Sequence, residues 1–459
     1  LPLVAAGEVG ARVAHLTSTR ATLAVRFVAS FMNAAVTAIL LGLFYGGVRR
    51  LGIEPGAAMA SALMLGFATP LWPYAKTFMA EPLQALGVLM AVLGVSRSAK
   101  GAGGFRSPEA LAGAGAFLAV SVKLSMLPIV LGALAPMVVL PPRTWRFPAA
   151  GVLLALVGHA VYDVARFGTP FETGYGAQAT GAAYTTPILV GLYGLLLSSG
   201  KGVAWFAPPV WLAISGFRRA IDDARTGMGG LARLGLFAPM GRVAWSAAIA
   251  WVVSLVLYAR FQHWAGDGSF GPRYLLPVIP LAMLLVPFAL KRAVTDLRGS
   301  AWGAPPSRGW LAIVLGTLGV MVQIGGVGIY FGAQMREAGD YPYRLPLDHP
   351  RFMSDSHFNP RFSPIAGHWS LLARNLSEHL RGEHPRLDTG GEGARDTRLG
   401  LTEEDQRRLL HAIDVWWLYL AYAGYGPLPT VVLPLLLGLA AVCAAAVLRT
   451  ALLAESRAP

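Results

Sequence analysis

Cysteine is almost missing from this chain, which has 459 residues and a single cysteine, Cys443. That excludes a disulfide framework and a thiolate metal site. Charge is scarce as well: 14% of residues are charged against 55% hydrophobic, and acids are the rarer sign, with 24 Asp and Glu against 38 Lys and Arg. Such a composition, with apolar runs of about twenty residues between short basic clusters, excludes an ordinary soluble domain and predicts an all-α polytopic membrane protein. No internal repeat is visible, and neither half mirrors the other. The formal charge of +14 invites a nucleic-acid reading. The basic residues fall mostly in short loops between apolar runs, however, where they act as topology signals, so nucleic acid is discounted as a partner.

What is present is a succession of about eleven apolar spans. They lie near 27–48, 56–73, 78–96, 109–122, 124–140, 148–166, 203–217, 241–259, 274–290, 310–332 and 429–450. Lys and Arg concentrate in alternate loops: Arg49 and Arg50; Arg97, Lys100 and Arg106; Arg143 and Arg146; Arg218, Arg219, Arg225, Arg233 and Arg242; Lys291, Arg292, Arg298 and Arg308. This alternation predicts those loops inside, residues 1–26 outside and the C-terminus cytoplasmic. The expected organisation is a transmembrane core over 1–332, an outer, periplasmic segment over 333–428, and a last span with a cytoplasmic tail over 429–459. Within the outer segment 368–380 reads as a helix and 383–400 as a mobile loop. Thr402 and Asp405 suit a capping box for a second helix ending in Trp416, Trp417, Tyr419 and Tyr422, whose aromatic end suits the membrane interface. The opening piece before residue 17 is too brief to span a bilayer, and it predicts further residues upstream of Leu1.

Every unusual polar stretch then falls on the outer side. In "WPYAKTFMAEP" Tyr74 and Lys76 precede Glu81, an acid at the start of an apolar span, where ionisable groups are costly enough to be functional candidates. The alternative has Lys76 snorkelling and Glu81 complementing a helix N-terminus. "SSGKGVAWFAPP" leads Lys201 into a helix start suited to a phosphate, or is a glycine turn with a snorkelling lysine. "HWAGDGSFGPRY" gathers His263, Asp267, Arg273 and Tyr274 just after Arg260, around glycines that let backbone approach a ligand. Arginine takes phosphate in a bidentate manner, whereas the structural alternative is an Arg273–Asp267 pair closing a turn. "FETGYGAQATGAAY" offers Glu172, Tyr175 and Tyr184 for holding a sugar, unless it is an ordinary loop, and Asp163 is a further buried acid. The histidines His349, His357, His368, His379 and His384 have no compact ligand spacing, so no metal site is assigned.

Together "RRLGIEPGAAMASALMLGFATPLWPYAKTFMAEPLQAL", "GLLLSSGKGVAWFAPP", "HWAGDGSFGPRYLLPVIPL" and "NPRFSPIAGHW" resemble bacterial integral-membrane glycosyltransferases of the GT-C superfamily, of the protein-mannosyltransferase-like kind. The resemblance covers most of the chain through four ordered blocks. It implies a GT-C-like bundle with an outer-face helical segment between the last two spans, in a bacterial plasma membrane. It implies transfer of a sugar from a polyprenyl-phosphate carrier to an envelope lipid, glycan or protein hydroxyl at the outer face, with inversion. The family's principal base lies in the first outer loop, which here would precede Leu1, leaving only Glu8 in the remnant. The carry-over is therefore narrow: Glu81 as the acidic residue of an early span, and Lys201 and Arg273 facing the donor phosphate. Arg260 and Lys76 are assigned as auxiliary phosphate groups, and Tyr74, Asp163, Glu172, Tyr175, His263, Asp267 and Tyr274 as substrate-binding. No nucleotide-binding motif is needed, no cofactor is assigned, and a divalent cation is left open. A transporter or flippase of lipid-linked sugars is the alternative, expected to show repeats, broken helices and access from both sides. A non-catalytic envelope-assembly protein is the third reading.

Overall fold

The computed structural model describes residues 2–16, 18–98, 104, 107–225, 233–266, 268–290, 308–337, 354–386, 407–422 and 431–457. Every regular element among these residues is a helix. Four of the helices are long and apolar enough to cross a membrane: Val25–Arg50, Pro142–Phe167, Pro239–Arg260 and Gly309–Gly328. Their lipid-compatible faces are plain in what they expose: Leu153, Leu154, Val157 and Val161 on one, Leu311, Val314 and Leu318 on another. Helix Leu433–Arg457 does the same with Leu435, Leu439 and Val442.

The expected count of about eleven spans is not confirmed, because the other apolar runs form shorter helices: Pro55–Phe67, Pro108–Val122, Leu124–Val139, Ile188–Leu197, Arg273–Met283 and Pro434–Leu448. Proline is the cause in two of the runs. The run expected over 203–217 is broken by Pro208 and Pro209 into Val203–Phe206, Pro208–Trp211 and Leu212–Ala224. The run over 274–290 holds Pro277, Pro280 and Pro287 and divides into Arg273–Val278, Ile279–Met283 and Val286–Leu290. Ile188–Leu197 was not anticipated as a separate apolar helix.

The core of the bundle is a small-residue sandwich. Helix Glu81–Arg97 lies so close to Pro108–Val122 that a Cβ on Gly87 would stand 2.7 Å from the Ala119 nitrogen, and one on Gly115 would stand 2.5 Å from the Gly87 oxygen. Pro108–Val122 in turn meets Arg146–Phe167 through Gly113 and Gly151, where a Cβ on Gly151 would fall 2.1 Å from the Gly113 oxygen. Dispersion between closely approaching backbones holds such a stack where water cannot drive helices together.

Arg242 locks one end of this stack. Buried at the start of Pro239–Arg260, it donates to the carbonyls of Val95, Ser96 and Ser98 at 3.1, 2.9 and 3.1 Å, which close the C-terminal turn of Glu81–Arg97. It also reaches the carbonyls of Leu236 and Phe237. Counted by sequence as a topology charge, it is a helix cap.

The segment expected outside the membrane docks on the far end of the bundle. Helix Pro364–Leu380 packs on Arg308–Gly328, with His368 Nδ1 3.0 Å from the Gly325 carbonyl and Trp369 Nε1 donating to Met321. The second helix expected in that segment is shorter than its pattern suggested. A turn at Leu409–His411 and an extended stretch precede helix Trp416–Tyr422. Asn375 causes the interruption by donating to the carbonyls of Leu410 and Ala412, both at 2.9 Å, which holds that backbone out of helical pairing. The capping pair Thr402 and Asp405, and most of the loop expected over 383–400, lie outside the described residues.

Candidate functional site

Glu81 opens helix Glu81–Arg97 with Pro82 behind it, at the end of the stack opposite Arg242. Its carboxylate is buried, 2% exposed. Arg273 arrives from the glycine loop 192 residues further on, and its Nε lies 2.5 Å from Glu81 Oε1. The contact is a charge-assisted pair between elements far apart in the chain. Glu81 Oε2 is buried without a hydrogen-bond partner among the described residues, and the buried hydroxyl of Tyr74 lies beside Ser269, facing Glu81, Arg273 and Tyr274. A buried carboxyl oxygen left open beside an ion pair marks a place where a ligand would complete the bonding.

A lysine absent from the sequence-based assignment joins the cluster. Lys123 sits in the turn between Pro108–Val122 and the short helix from Leu124, with its ammonium 5.0 Å over the Tyr274 ring. Burial pushes that ammonium below its ordinary value while nearby Glu81 pulls it up and Arg273 pulls it down. Tyr274 is stacked on Tyr258 at 4.5 Å, and Tyr258 exchanges a 3.1 Å hydrogen bond with Ser125. The aromatic pair thus forms a floor under two cations, Lys123 and Arg273. By formal charge the cluster sets one carboxyl group against two basic side chains.

The glycine loop explains how these parts meet. Gly266 and Gly271 both have left-handed backbones, φ +66 and +74, and a Cβ on Gly271 would sit 2.8 Å from the Phe206 ring. Between them Ser269 donates to the Gly266 carbonyl at 2.8 Å and presents its own carbonyl to Lys201, whose Nζ donates at 2.6 Å. Lys201 is buried, 1% exposed, with its ammonium also 5.1 Å over the Phe331 ring. The Ser198 hydroxyl accepts from the Lys201 backbone at 3.2 Å, tying the glycine turn "SSGKG" to the helix before it. Lys201 therefore braces the same loop that carries Arg273.

Other assigned residues fall at varied distances from this cluster. Lys76 turns away, its ammonium paired with Asp414 at 2.5 Å and donating to the Val327 carbonyl. Asp414, which also accepts from Tyr419, was missed in the sequence because a single acid inside "HAIDVWWLYL" gives no pattern. Arg260 is exposed at the end of its helix, and His263 is half-buried against Phe261 and Gln262. Asp163 is buried on Arg146–Phe167. Glu172 and Tyr175 are exposed, and Glu172 accepts from the Gly174 backbone in a local turn. Asp267 lies outside the described residues, as does His349. No group of three or more His, Cys, Asp or Glu suited to a metal ion occurs among the described residues.

Neither family models, nor curated proteins, nor solved structures match this chain. Its chemistry has to be argued from the cluster itself. That cluster offers a carboxyl group with one open oxygen, a phenol, two basic side chains on an aromatic floor and a buried lysine bracing the loop behind them. Such a set can bind an anion, polarise its bridging oxygen and accept a proton from an approaching hydroxyl.

Proposed function

We propose that this protein is a membrane glycosyltransferase of the GT-C kind, moving a sugar from a polyprenyl-phosphate carrier to a hydroxyl on an envelope lipid, glycan or protein. In this reading about eleven helical segments cross or enter a bacterial plasma membrane, the C-terminus is cytoplasmic, and the Glu81 cluster faces outward. The observation that carries the proposal is the partly unsatisfied cluster of Glu81, Arg273, Lys123 and Tyr74 inside an otherwise apolar helical frame.

The chemistry follows from the charges. The acceptor oxygen forms a bond to the anomeric carbon as the bond from that carbon to the phosphate oxygen breaks, and the electron pair leaves with the phosphate. Arg273 and Lys123 stabilise the developing negative charge. The acceptor proton passes to the Glu81 carboxylate through its open Oε2. In-line attack inverts the anomeric centre.

One observation favours the flippase reading: the run from Arg273 to Leu290 is a chain of short helices broken by proline, a feature of transport paths. A single experiment separates the two. Proteoliposomes of the full chain are given labelled polyprenyl-phosphate sugars and an envelope lipid extract, alongside Glu81→Gln, Arg273→Ala and Lys201→Ala. Label moved to an acceptor by the wild type, and reduced at least about a hundredfold by Arg273→Ala, supports the transferase. Label that crosses the bilayer still attached to its carrier, with no acceptor product, replaces it with the flippase.

A further inference from the structure

Away from the Glu81 cluster, a groove of about 600 Å³ runs between Ile188–Leu197, Val203–Phe206, Leu212–Ala224 and Pro239–Arg260. It falls within the roughly 300–1,000 Å³ range of ligand-sized sites. Its walls are apolar: Leu197 and Val203 at one end, then Trp211, Ile214, Phe217 and Trp251. Arg218 is the one charged group among its described lining residues. Arg218 is exposed and forms none of the hydrogen bonds or ion pairs found among the described residues. The neighbouring Arg219 is committed elsewhere, donating to the carbonyls of Phe288 and Ala289 at 3.4 and 2.6 Å.

We infer that this groove binds one acyl chain of an anionic glycerophospholipid, with the lipid phosphate on the Arg218 guanidinium. An apolar trough on a lipid-compatible bundle takes hydrocarbon, and the charge at its rim decides which headgroup stays. The direction of the lipid follows from where the cation is. At the Leu197 and Val203 end the nearby Lys201 is turned inward onto Ser269 and lines no part of the groove, so among the described lining residues an anionic headgroup finds its counter-ion at Arg218. Trp211 and Arg218 are seven residues apart, about 10 Å along the chain at 1.5 Å per residue, so the chain lies along the helix wall with its phosphate at the basic end. Guanidinium binds phosphate through paired N–H donors, which gives the preference for an anionic lipid over a zwitterionic one whose own amine competes. This site is independent of the transferase reading.

The test is native mass spectrometry of the full chain in detergent, with phosphatidylglycerol and phosphatidylethanolamine of identical acyl chains supplied in equal amounts. The wild type is expected to retain phosphatidylglycerol about fivefold over phosphatidylethanolamine. Arg218→Gln, at an exposed position, is expected to bring that ratio close to one with an unchanged melting curve. Ala248→Trp, which fills the groove from the Pro239–Arg260 wall, is expected to lower retention of both lipids. A ratio unaltered by Arg218→Gln overturns the headgroup assignment, and retention unaltered by Ala248→Trp overturns the groove as the site. If a polyprenyl phosphate displaces the phospholipid equally well in wild type and Arg218→Gln, the groove serves the carrier and the proposal fails.

Discussion

The two oxygens of Glu81 have different surroundings: one is held by Arg273 and the other has no hydrogen-bond partner among the described residues. Removing either partner of this pair therefore has unequal consequences. Arg273→Ala strands a buried carboxylate and is expected to cost about 3 kcal/mol, the low end for a broken buried pair because the arginine keeps some exposure. The double variant Glu81→Gln with Arg273→Gln is expected to be more stable than Arg273→Ala alone, which thermal unfolding in detergent followed by tryptophan fluorescence would measure. Lys123 behaves differently, because its ammonium rests on a ring and donates to no carboxylate. Lys123→Met is expected to leave the melting temperature nearly unchanged while lowering transfer by about a hundredfold, if that ammonium takes an oxygen of the leaving phosphate. Wild-type transfer by Lys123→Met would remove the residue from the proposed mechanism. Sequence reasoning reached Glu81, Arg273 and Lys201 because each stood among residues with a recognisable chemical reason. It passed over Lys123, which there marks only a turn between two apolar runs, and no spacing in one chain says that residue 123 meets residue 274.

Helices in this molecule meet through glycine, and the same helix supplies its own control. On Arg146–Phe167 a Cβ at Gly151 would overlap the Gly113 carbonyl, whereas a Cβ at Gly158 would meet nothing. Gly151→Ala is expected to destabilise by about 1–3 kcal/mol through forced separation of the stack. Gly158→Ala is expected to be neutral or to stabilise by up to about 1 kcal/mol through helix propensity, and paired melting curves would show the difference. The docking of Pro364–Leu380 carries a pH dependence. Burial pushes His368 down to about 4 from an ordinary 6.5, with Lys76 pushing the same way and the Gly325 carbonyl and Asp414 opposing. Between those values the unfolded chain binds a proton that the folded chain refuses, so stability is full above about 6.5, is lost as pH falls toward 4, and the total is on the order of 3 kcal/mol. Amide-exchange protection over 364–380 is expected to drop between pH 7 and pH 5, and His368→Gln is expected to flatten that drop. Element boundaries were legible where hydrophobicity was continuous, as in Glu81–Arg97 and Pro239–Arg260. They were misread where proline broke an apolar run, although Pro208, Pro209, Pro277, Pro280 and Pro287 carried the signal.

At the scale of the whole molecule, the rarity of cysteine becomes a tool. Cys443 is exposed on Leu433–Arg457 among Leu439 and Val442, a face suited to lipid. In sealed proteoliposomes it is expected to resist a membrane-impermeant maleimide from either side and to react once the protein is unfolded in detergent. Labelling by the impermeant reagent in intact vesicles would place that helix in water. The all-helical architecture was readable from composition, because apolar runs leave the backbone no other way to satisfy itself in lipid. The assembly of the site was not, since it depends on a loop that folds back over nearly two hundred positions to reach Glu81. Arg242 adds a mechanical consequence. It pins the Ser96 and Ser98 end of Glu81–Arg97, and seventeen residues of rigid helix, about 25 Å, separate that anchor from the carboxylate at the other end. A rod bolted at its foot cannot travel along its own axis; it can only swing, with the widest arc at its tip. Any movement of Glu81 is then a pendulum motion hinged on the opposite side of the bundle, and loosening the bolt would be felt as lost aim at the far end.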